Sequence, residues 1–430
     1  MKKISFSLLL LFLIQFSNCF RNADESGLVS VEFSIVTEDH LLIAPVSIGT
    51  PEQELALILD IGADKTWIHK DIYTSQASTS YKDLEIEDSI DEEIIKAEGN
   101  LATETFKVNE TKLDEFSFLK ADTISGYSKI QGVLSLGREY ASKKFSFVYR
   151  LTASAGTFFN AFTLTFDEET NKGRLYIGDL NDKLQKETYL MDKCELANNE
   201  LKIKWGCQLT HMFFGDLGNN TVELKEEKDK AYIIDKEKTH LKEIGKVAHF
   251  ETIFYKILLP FSEGEEYVRY FENYFINDKG EKVCMSINDE DKISFQCNEE
   301  EISHLKNVNF VFDSKLVLYL TPQDLFACLG GLCKFAIGTQ KGVDHFVFGT
   351  ALLKKFSTIF DYGSKELTFH GKTNKAKVQF DQGMGGFAKF LLTVFIILCC
   401  VIVIGVCYVF FVRRKNKSRK QLVDEIYQKL

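Results

Sequence analysis

Two apolar triplets in the chain each end in aspartate: Leu57-Ile58-Leu59-Asp60 and Tyr232-Ile233-Ile234-Asp235. Each precedes an apolar run closed by glycine and then a Lys-Lys-Phe-Ser tetrad. The first set is Gly132-Val-Leu-Ser-Leu-Gly137 with residues 143–146. The second is Phe346-Val-Phe-Gly349 with residues 354–357. Two similar halves, each offering one carboxylate, suit chemistry that needs a pair. Two carboxylates around one water can divide the work of hydrolysis. The ionised one takes a proton from the water, and the protonated one donates to the carbonyl under attack. Like charges that close cannot both ionise, so their titrations split.

Holding such a pair requires a rigid framework, and the framework reads as β. Short apolar runs recur between turn residues at 41–48, 55–59, 133–136, 161–165, 175–177, 232–234, 308–312, 317–320, 346–348, 358–360 and 367–369. Many are rich in Val, Ile, Phe and Thr, as strands are. Residues 265–274 are the best candidate for a helix. Thirty-seven Phe suit a large apolar core.

The stretch Pro45-Val-Ser-Ile-Gly-Thr-Pro-Glu-Gln, the apolar run to Asp60-Ile-Gly62-Ala, and Trp67 together resemble the first active-site strand of pepsin-like aspartic proteases. That family pattern is Ser-Ile-Gly-Thr-Pro-x-Gln, an apolar run, Asp-Thr-Gly-Ser, then Trp. Residues 132–137 with 145–151 resemble a later strand of the family's first lobe. Gly173-Arg-Leu-Tyr-Ile-Gly178 is similar to the strand near the lobe crossing, and 320–324 and 346–361 to the C-terminal end. The resemblance covers residues 40–371, in family order. It implies an all-β, bilobal pepsin-like fold with an N-terminal lobe at 41–190 and a C-terminal lobe at 191–371. It also implies a catalytic pair of Asp60 and Asp235, with Gly62 in support. The cleft would take an extended peptide or protein segment, and the chemistry needs no cofactor and no metal.

The same comparison exposes departures. In the family a Thr after each Asp braces the two loops, and the Gly after it lets a backbone N–H reach the carboxylate. Here Ile61 follows Asp60 and has no hydroxyl. After Asp235 come Lys236 and Glu237, which crowd the loop and add charge. The flap region 91–105 lacks the family's Tyr, with Glu92 nearest to its place. Two further aspartates match less well. Asp361-Tyr-Gly-Ser lies too near the end of the folded region for a lobe to follow it. Asp216 sits in Gly-Asp-Leu-Gly-Asn-Asn, which reads as a turn. The expectation is therefore an aspartic-protease-like protein of weak or absent activity that binds peptide or protein through its cleft. The alternatives are an active endopeptidase and a surface recognition protein that uses the fold as a scaffold.

The ends set the compartment. Lys2 and Lys3, the apolar run 8–14, and Ser17 with Cys19 read as a signal peptide over 1–19. A short segment at 20–40 carries one basic residue, Arg21. After a linker at 372–386, residues 387–412 form an apolar run long enough to span a bilayer. Basic residues at 413–420 mark the following tail, 413–430, as cytoplasmic. The expectation is a single-pass protein of the secretory pathway, at the cell surface or in endolysosomes, with its ectodomain outside. Tyr427 and Leu430 fit a Tyr-x-x-Leu signal for a cytoplasmic sorting adaptor. Net charge is −10 although basic residues crowd the tail, so the ectodomain is more acidic still and unsuited to nucleic acid. Of ten cysteines, Cys194, Cys207, Cys284, Cys297, Cys328 and Cys333 fall in the ectodomain. An even number in an oxidising compartment implies disulfides, with Cys194–Cys207 favoured. No Cys-x-x-Cys or His pair points to zinc. Asn109 and Asn219 open luminal glycosylation sequons.

Overall fold

The computed structural model describes residues 30–35, 40–92, 95–108, 111–126, 130–137, 145–154, 161–167, 169–177, 188–197, 205–215, 225–226, 229–230, 241–277, 279–313 and 316–372. The signal segment, Asn109, Asn219, the apolar run 387–412, Tyr427 and Leu430 lie outside them, as do Asp216 and residues 231–240 with Asp235. Among the described residues no helix is long and apolar enough to cross a membrane.

Strands dominate. One sheet has thirteen strands and a second has eleven. The first sheet combines strands from both ends of the chain. The C-terminal hairpin Phe356–Asp361 and Glu366–Lys372 pairs with the Ala161–Asp167 strand, in a register that sets Thr358 opposite Leu164. The Asp361 side chain closes that hairpin by accepting the Gly363 and Ser364 N–H groups at 2.7 and 3.1 Å. It ends the strand Phe356–Asp361, in keeping with the resemblance of 346–361 to the family's C-terminal end. Local pattern explains the rest. Residues of Leu42–Ile48 alternate between buried and partly exposed, as expected of a strand covered on one face. The last four residues of Gln53–Asp60 are all buried, because that end is covered on both faces. The helix Gly264–Tyr274 buries Tyr267, Phe271 and Tyr274 on one face at helical spacing. Phe271 and Tyr274 join Phe275, Phe295 and Phe335 in an aromatic cluster, and Tyr267 packs edge-on against Phe346.

Each half repeats one weave. In the first, Gln53–Asp60 runs parallel to Gly132–Ser135, with Leu59 opposite Leu134. The short strand Trp67–His69 lies antiparallel on the other side, with Trp67 opposite Val133. In the second half Lys242–Phe250 runs parallel to Phe346–Phe348, with Phe250 opposite Phe348. Ile257–Leu259 flanks it, with Leu258 opposite Val347. Glycine closes each weave at an equivalent place. A methyl group on Gly137 would sit 1.9 Å from the Ala63 carbonyl oxygen, and one on Gly349 would sit 2.3 Å from that of Phe254.

Three disulfides form: Cys194–Cys207, Cys284–Cys297 and Cys328–Cys333. The first joins the thirteen-stranded sheet to the eleven-stranded one. The other two link directly opposed residues of antiparallel pairs.

Because the clash at Gly137 is with backbone, no side-chain rotation relieves it. Gly137→Ala is expected to cost about 1–3 kcal/mol, the range for overpacking a rigid site. Thermal unfolding followed by circular dichroism measures it; an unchanged midpoint would mean that the two loops are not held this close.

Candidate active site

Asp60 ends its strand fully buried. Its Oδ1 accepts the Gly62 N–H at 2.7 Å, and its carbonyl accepts the Leu136 N–H at 2.7 Å. The carboxylate is thus oriented from its own loop, as expected of the first half of a pair.

In the second half, the position equivalent to Asp60 is held by Glu251. It follows the Lys242–Phe250 strand as Asp60 follows Leu59, and its N–H donates to the Phe348 carbonyl at 3.1 Å. Seven positions after Asp60 comes Trp67, and seven after Glu251 comes Leu258; both occupy the same place in the weave. The deciding contact is Thr252. Its Oγ1 donates to the Leu59 carbonyl at 2.7 Å and accepts the Ile61 N–H at 3.2 Å. These bonds cross from one half to the other, as the brace of a paired-carboxylate cleft does. Glu251 is 1% exposed. Gly62 lies between the two acids, since a methyl placed on it would meet Asp60 Oδ1 at 3.3 Å and Glu251 Cγ at 3.3 Å.

Asp235, the residue expected opposite Asp60, lies with Lys236 and Glu237 outside the described residues, and the facing position belongs to Glu251. Sequence reasoning missed it by searching for aspartate. The usable signal was an acid followed directly by Thr, with an apolar residue seven positions on. The two loops read Asp60-Ile61-Gly62-Ala63 and Glu251-Thr252-Ile253-Phe254. Each has lost what the other keeps: the first has the Asp and Gly without the Thr, the second the Thr without Asp or Gly.

The surroundings are apolar. Ala63, Trp67, Ile253, Phe254, Leu258 and Val347 belong to one buried cluster beneath the loops. Ser135 Oγ donates to the Ala63 carbonyl at 2.6 Å, and the Thr350 N–H donates to that of Phe254 at 2.8 Å. Burial pushes the Asp64 carboxyl above the ordinary carboxylate range, against the pull of the neighbouring Lys65 ammonium. Two histidines stand beside Glu251. His249 is 3% exposed, and its ring centroid lies 4.6 Å from that of the partly exposed His345.

Residues 42–371 match the family model described as eukaryotic aspartyl protease. The chain belongs to that family. The crystal structure of the aspartic proteinase from Irpex lacteus superposes with a TM-score of 0.61 at 14% identity, covering 80% of this chain and 98% of the other. At that identity the superposition supports the pepsin-like fold alone. No curated protein matches the sequence at a significant level.

Replacing Thr252 by Val removes the hydroxyl and leaves the Ile61 N–H and the Leu59 carbonyl without it in a buried place. Thr252→Val is expected to cost about 1–3 kcal/mol, whereas Thr252→Ser costs less. Parallel melts of the two variants test this; equal midpoints would mean that the hydroxyl does not bridge the loops.

Proposed function

We propose that the protein is a membrane-anchored member of the family whose cleft binds a peptide or protein segment and hydrolyses it weakly or not at all. The observation that carries this reading is Glu251-Thr252-Ile253 in the place of the second Asp-Thr-Gly. Glutamate is longer than aspartate by one carbon–carbon bond, roughly 1.5 Å. Catalytic groups must be held to about 0.5 Å, and a misplacement near 1 Å costs on the order of 100-fold. Ile253 adds a branched side chain where the first loop has Gly62, whose N–H orients Asp60. The signal segment and the apolar run 387–412 with its basic flank support anchoring in a secretory-pathway membrane. Tyr427 and Leu430 support recognition by a sorting adaptor.

The opposing reading, an active endopeptidase, draws on the intact Asp60–Gly62 pair and the Thr252 brace. A peptide library incubated with the full-length protein from acid to neutral pH separates the two. Wild type is expected to show at most weak cleavage that a statine-type transition-state analogue blocks. The triple variant Ile61→Thr, Glu251→Asp, Ile253→Gly is expected to gain inhibitable cleavage in acid, about 100-fold above wild type. Inhibitable cleavage by wild type as fast as that of the triple variant, and lost in Asp60→Ala, would overturn the proposal.

A further inference from the structure

Beside Asp60 the second loop sets Glu251 among two histidines that the hydrolysis of peptides by paired carboxylates does not use. His249, Glu251 and His345 each offer one ligand atom, and the three atoms lie within 4.8 Å of one another. We propose that these residues form a binding site for one divalent transition-metal ion of the zinc class.

Topology accounts for the convergence. His249 and Glu251 are two apart along one extended segment, so their side chains share a face. His345 immediately precedes the Phe346–Phe348 strand, which runs parallel to the first with Ala248 opposite Phe346. In the same register His249 is opposite Val347, so His345 and Val347 lie on the face of His249 and Glu251. Phe250, Phe346 and Phe348 point the other way into the main core. A metal joined to donors at about 2.0–2.1 Å in tetrahedral geometry needs them roughly 3.3 Å apart. A bound ion would draw the three donors, which lie within 4.8 Å of one another, to that spacing.

The chemistry selects the ion. Two imidazoles and one carboxylate suit zinc and its first-row neighbours, whereas calcium and magnesium take oxygen ligands. Three protein donors leave a fourth position open, as in zinc sites that bind water or substrate. Entry is through His345, the partly exposed member; His249 and Glu251 are enclosed. The His249 ring is also held in place from below. Gly206 lies opposite it in the neighbouring strand, and a methyl on Gly206 would meet His249 Cδ2 at 2.7 Å. Glycine there makes the room in which the ring sits.

Bound metal would claim the Glu251 carboxylate and place positive charge near Asp60, removing Glu251 from any role as proton donor. The proposal rests on the placement of three side chains. It stands or falls separately from peptide binding and from the activity of the cleft.

The test uses the full-length protein in detergent, stripped with chelator and then titrated with Co2+ and Zn2+. Wild type is expected to bind one Co2+ with the absorption of a tetrahedral nitrogen–oxygen site, without the thiolate charge-transfer bands that cysteine would give. Zn2+ is expected to displace it and raise the melting temperature. His345→Ala, at the partly exposed edge, and the near-isosteric Glu251→Gln are each expected to weaken Zn2+ binding by at least about 100-fold. His304→Ala, at an exposed position, leaves binding unchanged. Wild type that binds no Co2+ in tetrahedral form would overturn the proposal. So would equal Zn2+ affinity in wild type, His345→Ala and Glu251→Gln, which would place the ion elsewhere.

Discussion

One hydroxyl, Thr252 Oγ1, joins two loops whose residues are 191 positions apart in the chain. It accepts from the first loop's N–H and donates to the carbonyl just before Asp60. Everything else at the cleft is arranged around that crossing. The parallel strand pairs bring each loop to it. Gly137 and Gly349 let a carbonyl of each loop come close, and the apolar cluster around Trp67 and Leu258 keeps the ground beneath dry. A buried hydroxyl with both its donor and acceptor functions engaged fixes geometry far more firmly than one facing solvent.

In a symmetric cleft a second hydroxyl would make the reciprocal pair of bonds. Here Ile61 fills that place, fully buried in the main core. The brace is therefore half present, and the carboxylate on the braced side is the longer glutamate. Fold and chemistry separate at this point. Half of the brace suffices to hold the lobes in register, whereas a dyad must also hold two oxygen atoms around one water. Loss of Gly on the Glu251 side compounds the effect, since Ile253 turns its side chain into the apolar cluster. The histidines beside Glu251 give that carboxylate neighbours of a different kind.

Much of the fold was legible in the sequence because the first lobe keeps its motif in one contiguous stretch. Asp60, Gly62 and Trp67 stand at their family spacing, and the strands at 308–312 and 346–348 fall where their apolar runs lie. Cys194–Cys207 was favoured as a pair across a hairpin; the pair forms, but it links the two sheets, and the other two pairs take opposed positions in hairpins. The second loop was not legible. Its strand carries Lys242, Glu243, Lys246 and His249, so the apolar lead-in that marks Asp60 is broken. The acid itself has changed type. Tyr232-Ile-Ile-Asp235 preserves the apolar pattern and drew the assignment, although pattern alone carries no information about which strand crosses to Leu59. The echo of the two glycine-closed strands was sound, but it was counted from the wrong acid. The histidine pair escaped notice because its members come together only through parallel strand pairing of segments nearly a hundred residues apart.

The most direct measurement is a crystal structure of the ectodomain that locates both Asp60 and Glu251. The expected result is the Glu251 carboxylate facing Asp60 across Gly62, with Thr252 Oγ1 between Leu59 and Ile61. The Asp235 carboxylate within reach of one bridging water from Asp60, with Glu251 turned away, would contradict it.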